Sequence, residues 1–543
     1  MDPETNPATR ALTGELFFVL LSAAPLTLLV STGLLALFLR AVRRSMARAS
    51  NQSGFPEPLA PDGDPPSRAL RVRTLPLRPA RSLPGLGAAL IYLAAGTAYA
   101  AVLATVYLLA NDMAFLPGRF AFVALLYLWP TVPALALVLA VTWRDWSALV
   151  IAYALLMLAI MAAVQDEGPG PGALLLAWGI YNFPGTLLIW LVLMRPIRAV
   201  GPLVLVFIVT LLTGGVVATG WVGANTDRIA LAAEIGHGLG LSGTAVFWLL
   251  ALAGALGMGL LGWLTLRLLG RLYARRLLTD QTLLIDALFL FFAVDHAMEL
   301  AFAGPLWFAC GLLAFAAYLT VSRLGLALLR GLPTKPPRRL LMLRVFSLGK
   351  RSSLLFERLS RLWRRRGGID LIAGPDFARD AVAPHEFLDF LHGRLSRRFI
   401  ASPADLERRF APAPDIPRFD GRHDVESFYC HADTWQGVLL RLADRADVVL
   451  MDLRGFGPRN QGCTFEIHAL LRHVDLRRVV LAVDETTDRA FLDEVLRAGW
   501  AATGGAGPNA ATANPSVHLF PLDKRGLKAR QLMRALEDAT DGL

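Results

Sequence analysis

Residues 447–470 have the sequence DVVLMDLRGFGPRNQGCTFEIHAL, which combines three local patterns typical of a parallel β-sheet. The first part, residues 448–453, is an almost continuous apolar run, as expected for a strand that is covered on both faces. Gly455 and Gly457 then predict a loop, and Thr464 is a suitable cap for the helix that follows. In an open α/β sheet such strand-to-helix loops lie at the carboxyl ends of the strands, where ligands bind.

The same alternation of strands and helices extends from residue 341 to residue 543. The predicted strands are Leu341–Phe346, Ile369–Ala373, Val425–Cys430, Val448–Leu453, Val479–Val483 and Val517–Leu522. The predicted helices are Leu354–Arg365, Pro384–Arg398, Thr434–Arg445, Thr464–His473, Thr487–Ala498 and Lys528–Ala539. This βα pattern implies right-handed crossovers and a mainly parallel, doubly wound sheet of the flavodoxin type.

The rest of the chain is too apolar for a soluble domain, because 55% of the 543 residues are hydrophobic and only 18% are charged. Residues 1–332 therefore form an all-α, multi-pass membrane domain in this interpretation. Nine spans are predicted, at about Leu16–Leu39, Leu86–Leu109, Phe120–Thr142, Trp146–Val164, Ala173–Met194, Pro202–Val222, Ala245–Leu268, Leu283–Phe302 and Trp307–Leu329. The lipid bilayer is thus the first predicted partner of the chain.

Basic residues next to these spans predict the orientation of the chain in a cytoplasmic (inner) membrane. Four arginines follow the first span directly, and later arginines recur in every second loop. The positive-inside rule then places the N-terminus outside and the domain of residues 341–543 in the cytoplasm. The Pro-rich loop 49–84 is expected to be a disordered cytoplasmic segment, and residues 333–340 form a basic neck before the C-terminal domain.

Charge and cysteine usage exclude several classes of function. The formal net charge is +11, but the arginines crowd beside the spans and in helices instead of alternating with aromatic residues on one surface. This distribution argues against a nucleic-acid partner. Cys310, Cys430 and Cys463 show neither metal-ligand spacing nor a disulfide framework, so we expect no metal site.

Acidic residues inside the eighth predicted span form a candidate site within the membrane, because charged groups in hydrocarbon are costly. The residues are Asp286, Asp295, His296 and Glu299. One hypothesis is a proton relay or a cation site. The other is a structural role, in which Asp295, His296 and Glu299 lie near the outer interface and pair with polar groups of neighbouring helices. The sequence shows no second charged helix that answers them.

The segment Gly462–Ile467, GCTFEI, resembles two related families. Toll/interleukin-1 receptor (TIR) domains carry a W-C-x-x-E-L-like segment at this place in the fold, and nucleoside 2-deoxyribosyltransferases carry a G-T-x-x-E-like segment. Gly462 stands where the TIR segment has Trp. In both families the Glu is associated with cleavage of an N-glycosidic bond, so the resemblance implies that role for Glu466. An ionised carboxylate in the first turn of a helix would suit a nucleophile or an electrostatic stabiliser, whereas the structural alternative is that Glu466 merely favours the helix start.

Further ligand-binding residues are predicted at the same edge of the sheet. Arg454 and Asn460 could contact phosphate and ribose, and Asp433 lies in a polar and aromatic segment after the third strand. Lys350, Arg351 and Ser352 open a helix whose free N–H groups could bind a phosphate. The alternative for these three residues is a solvated helix cap, because the surrounding sequence lacks the spacing of a P-loop.

The sequence thus favours a membrane sensor or effector whose C-terminal domain binds a nucleotide-type ligand such as NAD and can hydrolyse it. Two other classes stay open: a non-catalytic protein-interaction module on a membrane anchor, and a transporter regulated by its C-terminal domain. A homo-oligomer through either domain is compatible with each of them. No further cofactor is implied.

Overall fold

The computed structural model describes residues 7–50, 55, 68–78, 85–139, 143–163, 200–223, 225–275, 278–300, 303–330, 336–345, 350–374, 384–410, 417–503, 507–512, 514–523 and 528–540, with a few positions between 172 and 186. The chain divides into two units. The membrane unit consists of Met1–Ala36, Leu86–Arg330 and Ala383–Leu388. The C-terminal unit consists of Leu37–Gly85, Gly331–Val382 and Asp389–Leu543.

The membrane unit is built from apolar helices. These are α1 (Pro7–Met46), α2 (Leu86–Ala110), α3 (Pro117–Tyr127), α4 (Thr131–Leu139), α5 (Trp143–Ala163), α6 (Gly201–Gly223), α7 (Thr226–Gly238), α8 (Gly243–Ala274), α9 (Asp280–Leu300) and α10 (Pro305–Arg330). Among the described residues, five helices are long and apolar enough to cross a membrane, or six if α3 and α4, which meet at 54°, form one bent span. The prediction of a multi-pass membrane chain is confirmed at this level. The count of nine is not reached by these residues, and most of the predicted span Ala173–Met194 lies outside them.

Small residues allow the membrane helices to pack closely. A Cβ atom added to Gly214 of α6 would lie 2.3 Å from the carbonyl oxygen of Gly254 of α8, and the reverse substitution would be equally close at 2.2 Å. The two backbones are therefore in direct contact. Close backbone approach through small residues is a common way to associate helices in lipid, where burial of apolar side chains gives little driving force.

Among the described residues, the C-terminal unit contains one sheet of eight strands, all paired in parallel. The strands are β1 (Arg71–Thr74), β2 (Leu340–Arg344), β3 (Ile369–Ala373), β4 (Phe399–Ile400), β5 (Val425–Cys430), β6 (Val448–Asp452), β7 (Val479–Val483) and β8 (Ser516–Pro521), in the spatial order β1-β8-β7-β6-β2-β3-β5-β4. The helices are α11 (Lys350–Trp363), α12 (Pro384–Leu391, shared between the units), α13 (Pro403–Phe410), α14 (Trp435–Arg445), α15 (Gln461–His473), α16 (Arg489–Ala501) and α17 (Ala529–Thr540). The predicted parallel sheet is confirmed.

Two hydrophobic cores cover the two faces of this sheet, because successive strand residues point to opposite sides. Leu341 and Leu343 of β2 contribute to the core formed with α14, α15 and α16. Leu340 and Met342 of the same strand contribute to the core formed with α11 and α17. Helices therefore lie on both faces of the sheet, as the continuous apolar character of the strands predicts.

The loop between the first two spans is part of the C-terminal unit. The prediction that residues 49–84 are disordered is wrong for the described part of this loop, because residues 71–74 form the edge strand β1 next to β8. The backbone N–H of Leu75 donates to the carbonyl oxygen of Leu519 at 2.8 Å, and the Leu75 side chain is buried. Trp500 Nε1 donates to the carbonyl oxygen of Arg68 at 2.8 Å. A strand of only four residues with alternating arginines is a weak sequence signal, which explains why it was missed.

Candidate functional site

The strand order places a topological switch point between β2 and β6. The chain leaves β2 through α11 toward β3 on one side, and it leaves β6 through α15 toward β7 on the other side. In open α/β sheets, ligands bind outside the carboxyl ends of the two strands where the direction reverses in this way. Four charged residues lie at this position, and we call them the edge cluster: Arg344, Asp452, Arg454 and Glu466.

Asp452 and Arg454 form a closed ion pair within the edge cluster. Asp452 is the last residue of β6, and both side chains are fully buried. Arg454 Nε donates to Asp452 Oδ1 at 2.8 Å, and Nη2 donates to Oδ2 at 2.7 Å, so the contact is bidentate. Arg454 Nη2 also lies 3.1 Å from the carbonyl oxygen of Arg351, its second acceptor. This geometry ties the start of α11 to the end of β6, and it places Arg454 in the protein interior.

The start of α11 contacts two carboxylates, those of Asp452 and Asp484. Ser352 is buried, and its hydroxyl donates to Asp452 Oδ2 at 3.4 Å. Arg351 pairs with Asp484, which follows β7, and its Nη1 lies 3.4 Å from Thr486 Oγ1. Lys350 is the first residue of α11, but its side chain lies outside the described residues. Among the predicted phosphate-binding residues, Arg351 and Ser352 are thus both engaged with carboxylates.

Glu466 occupies a different position from the predicted one. Helix α15 begins at Gln461, with Asn460 rather than Thr464 in the cap position, so Glu466 lies in the second turn. Its side chain is buried, and Oε2 makes no hydrogen bond to the residues that the structure describes. Burial raises the pKa of Glu466 to about 8, against the lowering effects of the Arg344 charge and a hydrogen bond with Cys463. The expectation of an ionised carboxylate is therefore wrong, because the loss of solvation outweighs the helix terminus.

Arg344 and Cys463 complete the surroundings of Glu466. Arg344 ends β2, is almost fully buried, and interacts with Glu466 electrostatically. The Cys463 thiol lies 3.7 Å from the carbonyl oxygen of Arg344, which joins α15 to the end of β2. A neutral carboxyl group next to an arginine can donate and accept hydrogen bonds while the arginine offers a positive charge.

The two other predicted ligand residues serve loops of the C-terminal unit. Asn460 Oδ1 accepts a hydrogen bond from the backbone N–H of Gly457 at 3.0 Å, which shapes the loop before α15. Gly455 in this loop has a φ of 69°, a conformation that favours glycine. Asp433 accepts hydrogen bonds from the backbone N–H of Ser50 at 2.8 Å and from the Ser50 hydroxyl at 3.0 Å. Its carboxylate is bound by the loop that follows the first membrane helix.

Two ionisable residues of α9, Asp286 and His296, have partners on neighbouring membrane helices. Asp286 pairs with Arg323 of α10 and accepts a hydrogen bond from Tyr318 Oη at 2.9 Å. His296 is fully buried, and its Nδ1 lies 2.9 Å from Tyr99 Oη of α2. Asp295 is half-buried, and the Glu299 side chain lies outside the described residues.

Three residues of these sites were not predicted. Arg344 was not among the predicted ligand-binding residues, although a charged residue at the end of an apolar strand is a signal for the ligand edge. Asp484 gives the same signal after β7. Arg323 was not predicted as the partner of Asp286, because hydropathy does not show which faces of two helices meet.

Comparison with known proteins gives no assignment: no family model, no curated protein and no solved structure matches this chain. Within the described part of the chain, no group of three or more His, Cys, Asp or Glu side chains is arranged to hold a metal ion. The functional assignment therefore rests on the geometry of the edge cluster.

Proposed function

We propose that this protein is a multi-pass membrane sensor or effector whose C-terminal domain binds a nucleotide-type ligand beside β2 and β6. The observation that carries the proposal is the buried Oε2 of Glu466, which lacks a hydrogen-bond partner among the described residues at the switch point of the sheet. Buried polar atoms are normally hydrogen-bonded, so an unsatisfied one at a ligand edge favours a group that binds there. The five strands β3-β2-β6-β7-β8 also follow the 2-1-3-4-5 order of flavodoxin-like sheets.

The chemistry of the cluster suits a nucleotide. The neutral carboxyl of Glu466 can donate to a base or ribose oxygen, and Arg344 supplies a positive charge for phosphate. The resemblance of Gly462–Ile467 to the TIR and deoxyribosyltransferase segments supports the same ligand class, with NAD as one member. Arg454 contributes indirectly, by fixing α11 against β6.

Cleavage of an N-glycosidic bond is the second candidate function, and the raised pKa of Glu466 favours one form of it. A carboxyl group that is protonated at neutral pH can donate a proton to a departing base, which an ionised carboxylate cannot do. This role replaces that of a nucleophile. An interaction module without turnover is the alternative, and a transporter regulated by the domain is another.

The topology we propose has nine spans, with the N-terminus outside and the C-terminal domain in the cytoplasm of the inner membrane. The pairing of β1 with β8 supports it without reference to charge. Because β1 precedes α2 and β8 follows α10, both must lie on one side of the membrane. The number of crossings between Leu86 and Arg330 is then even. The positive-inside rule selects the cytoplasmic side. Homo-oligomers are compatible with this topology.

Ligand binding is tested on the full chain in lipid nanodiscs, because the C-terminal domain includes the loop before α2. Nucleotides and dinucleotides, NAD included, are added separately, and binding and products are followed by calorimetry and mass spectrometry. Glu466→Leu is expected to weaken binding of the recognised nucleotide by roughly tenfold, since it removes the hydrogen bond of the buried carboxyl, which is worth about 1–2 kcal/mol.

The matched control is Asp370→Asn. Asp370 is also a buried carboxyl, and burial raises its pKa to about 7, but it lies near the amino end of β3 and pairs with Arg339 at 2.9 Å. This variant should bind nucleotide like the wild type. A folded wild type that binds none of the nucleotides would contradict the proposed function, and binding that is unaffected in Glu466→Leu would remove the site from the edge cluster.

Topology is tested separately with reporters fused at Asp166 and after Leu543. The two are expected to report opposite sides of the membrane. A reporter inserted between residues 78 and 85 should agree with the one after Leu543. If these last two reporters lie on opposite sides of the membrane, the pairing of β1 with β8 is contradicted, because it requires both strands to lie on one side.

A further inference from the structure

The C-terminal end of α1 and the residues directly after it are hydrogen-bonded to the loop after β5. We call Ser45–Ser50 the strap. His431 Nδ1 lies 2.9 Å from the carbonyl oxygen of Ser45, and the backbone N–H of Ala432 donates to the carbonyl oxygen of Arg48 at 3.3 Å. Asp433 completes the series through its bonds from Ser50. Three consecutive loop residues are thus occupied by the strap.

Further contacts fix both ends of the strap on the C-terminal unit. The Ser50 hydroxyl also lies 3.1 Å from the carbonyl oxygen of Ala401, just after β4. Beyond the strap, Phe55 packs directly against the backbone of α14, since a Cβ atom on Gly437 would lie 2.3 Å from its ring. Before the strap, the ring of Phe38 is fully buried and meets that of Phe390 edge-on at 5.4 Å.

The helix that leads into the strap is longer than a membrane is thick. Helix α1 runs for 40 residues with Pro25 inside it, and its apolar span Pro25–Met46 of 22 residues corresponds to about 33 Å against a hydrocarbon core of about 30 Å. A long apolar helix responds to bilayer thickness by tilting. A change of tilt moves the C-terminal end of α1, and the strap begins at that end.

We propose that the strap is a mechanical connection through which movement of the first membrane helix controls the loop His431–Asp433 at the carboxyl edge of the sheet. With the strap in place, the Asp433 carboxylate and the His431 ring are held by residues of the chain itself. Displacement of α1 breaks the Ser50–Asp433 contact and frees both side chains at the edge where ligands of such sheets bind. This inference does not depend on the identity of the ligand.

The test measures hydrogen exchange of the full chain in nanodiscs made from short-chain or long-chain phosphatidylcholine. In the wild type, the amides of residues 431–434 should exchange at rates that differ between the two bilayers by roughly threefold or more, because local opening sets the exchange rate. Asp433→Ala and Ser50→Pro each remove both hydrogen bonds between these two residues, so residues 431–434 of both variants should exchange fast, at the same rate in both bilayers. Either variant alone suffices if the other does not fold.

The matched control is Asp488→Asn, which removes another hydrogen-bonding aspartate of the same unit. Asp488 caps α16 by accepting from the backbone N–H of Phe491 at 3.0 Å, in a different loop from the residues that bind the strap. It should keep the thickness dependence of the wild type. Exchange of residues 431–434 that is equal in both wild-type bilayers would overturn the proposal, as would a thickness dependence that persists in Asp433→Ala.

Discussion

Two neighbouring arginine and carboxyl pairs at the same sheet edge have opposite characters. Arg454 and Asp452 are two residues apart at the end of one strand, and two short hydrogen bonds from Arg454 satisfy both oxygens of Asp452, while Arg454 Nη1 has no partner among the described residues. Arg344 and Glu466 come from different elements, β2 and α15, and Glu466 keeps a buried oxygen without a described partner. Residues that are close along the chain thus satisfy the carboxylate of Asp452, whereas the pair that is assembled from two elements leaves one oxygen of Glu466 without a described partner.

The comparison also separates charge from neutrality. Both oxygens of Asp452 accept charge-assisted hydrogen bonds from one arginine. The carboxyl of Glu466 lacks such a partner, so burial dominates and its pKa rises to about 8. We therefore expect the first pair to determine stability and the second to determine ligand binding and pH response.

The largest expected effect comes from breaking the first pair. Arg454→Met leaves the Asp452 charge buried without its bidentate partner, which should cost about 3–5 kcal/mol of unfolding free energy. Denaturant unfolding of the full chain in detergent, followed through the C-terminal domain, measures this. The double variant Arg454→Met with Asp452→Leu should regain most of the loss. A single variant within about 1 kcal/mol of the wild type would contradict the structural role of the pair.

The pH dependence of stability sharpens the contrast. The pKa of Glu466 is about 8 in the folded state and lower when unfolded, so the native state binds the extra proton between about pH 5 and pH 8. Stability should fall as pH rises through this window, by at most roughly 1.4 kcal/mol per pH unit from this group. Glu466→Gln should remove that part of the slope, while the similar contribution of Asp370 remains. Equal slopes in wild type and variant would contradict the raised pKa.

The smallest expected effect concerns the link between the first pair and α11. The Ser352 hydroxyl lies 3.4 Å from Asp452, which is long for a hydrogen bond. Ser352→Ala should therefore destabilise the domain by only about 0.5–1 kcal/mol. The same unfolding assay measures this change. A loss as large as that of Arg454→Met would mean that Asp452 depends on the serine more than on the arginine.

Much of the C-terminal fold could be predicted from the sequence, because its strands carry long apolar runs between clear turn signals. Ile369–Ala373, Val425–Cys430 and Val479–Val483 have the predicted bounds. β1 and β4 were missed, since strands of four and two residues have no usable periodicity. The loop 49–84 was misjudged from its proline and arginine content, which does not report pairing with a strand more than 400 residues later.

The site was harder to predict because it depends on distances in space. Sequence spacing identified Glu466 and Arg454 as charged residues at the ligand edge, and the structure places both there. It could not show that Arg454 forms an ion pair with Asp452. Nor could it show that Glu466 lies in the second turn of its helix, where its side chain is buried. Both outcomes follow from packing between β2, β6 and the helices, which no local pattern encodes.

The protonation state of Glu466 tests the account most directly. Infrared difference spectra of the full chain in nanodiscs, recorded as pH rises from about 6 to about 10, follow the carbonyl band of protonated carboxyl groups. We predict that the wild type loses a band with a midpoint near the Glu466 pKa of about 8, beside the transition of Asp370 near its pKa of about 7, and that Glu466→Gln lacks the first transition while Asp370→Asn retains it. A wild-type spectrum identical to that of Glu466→Gln across this range would contradict the account.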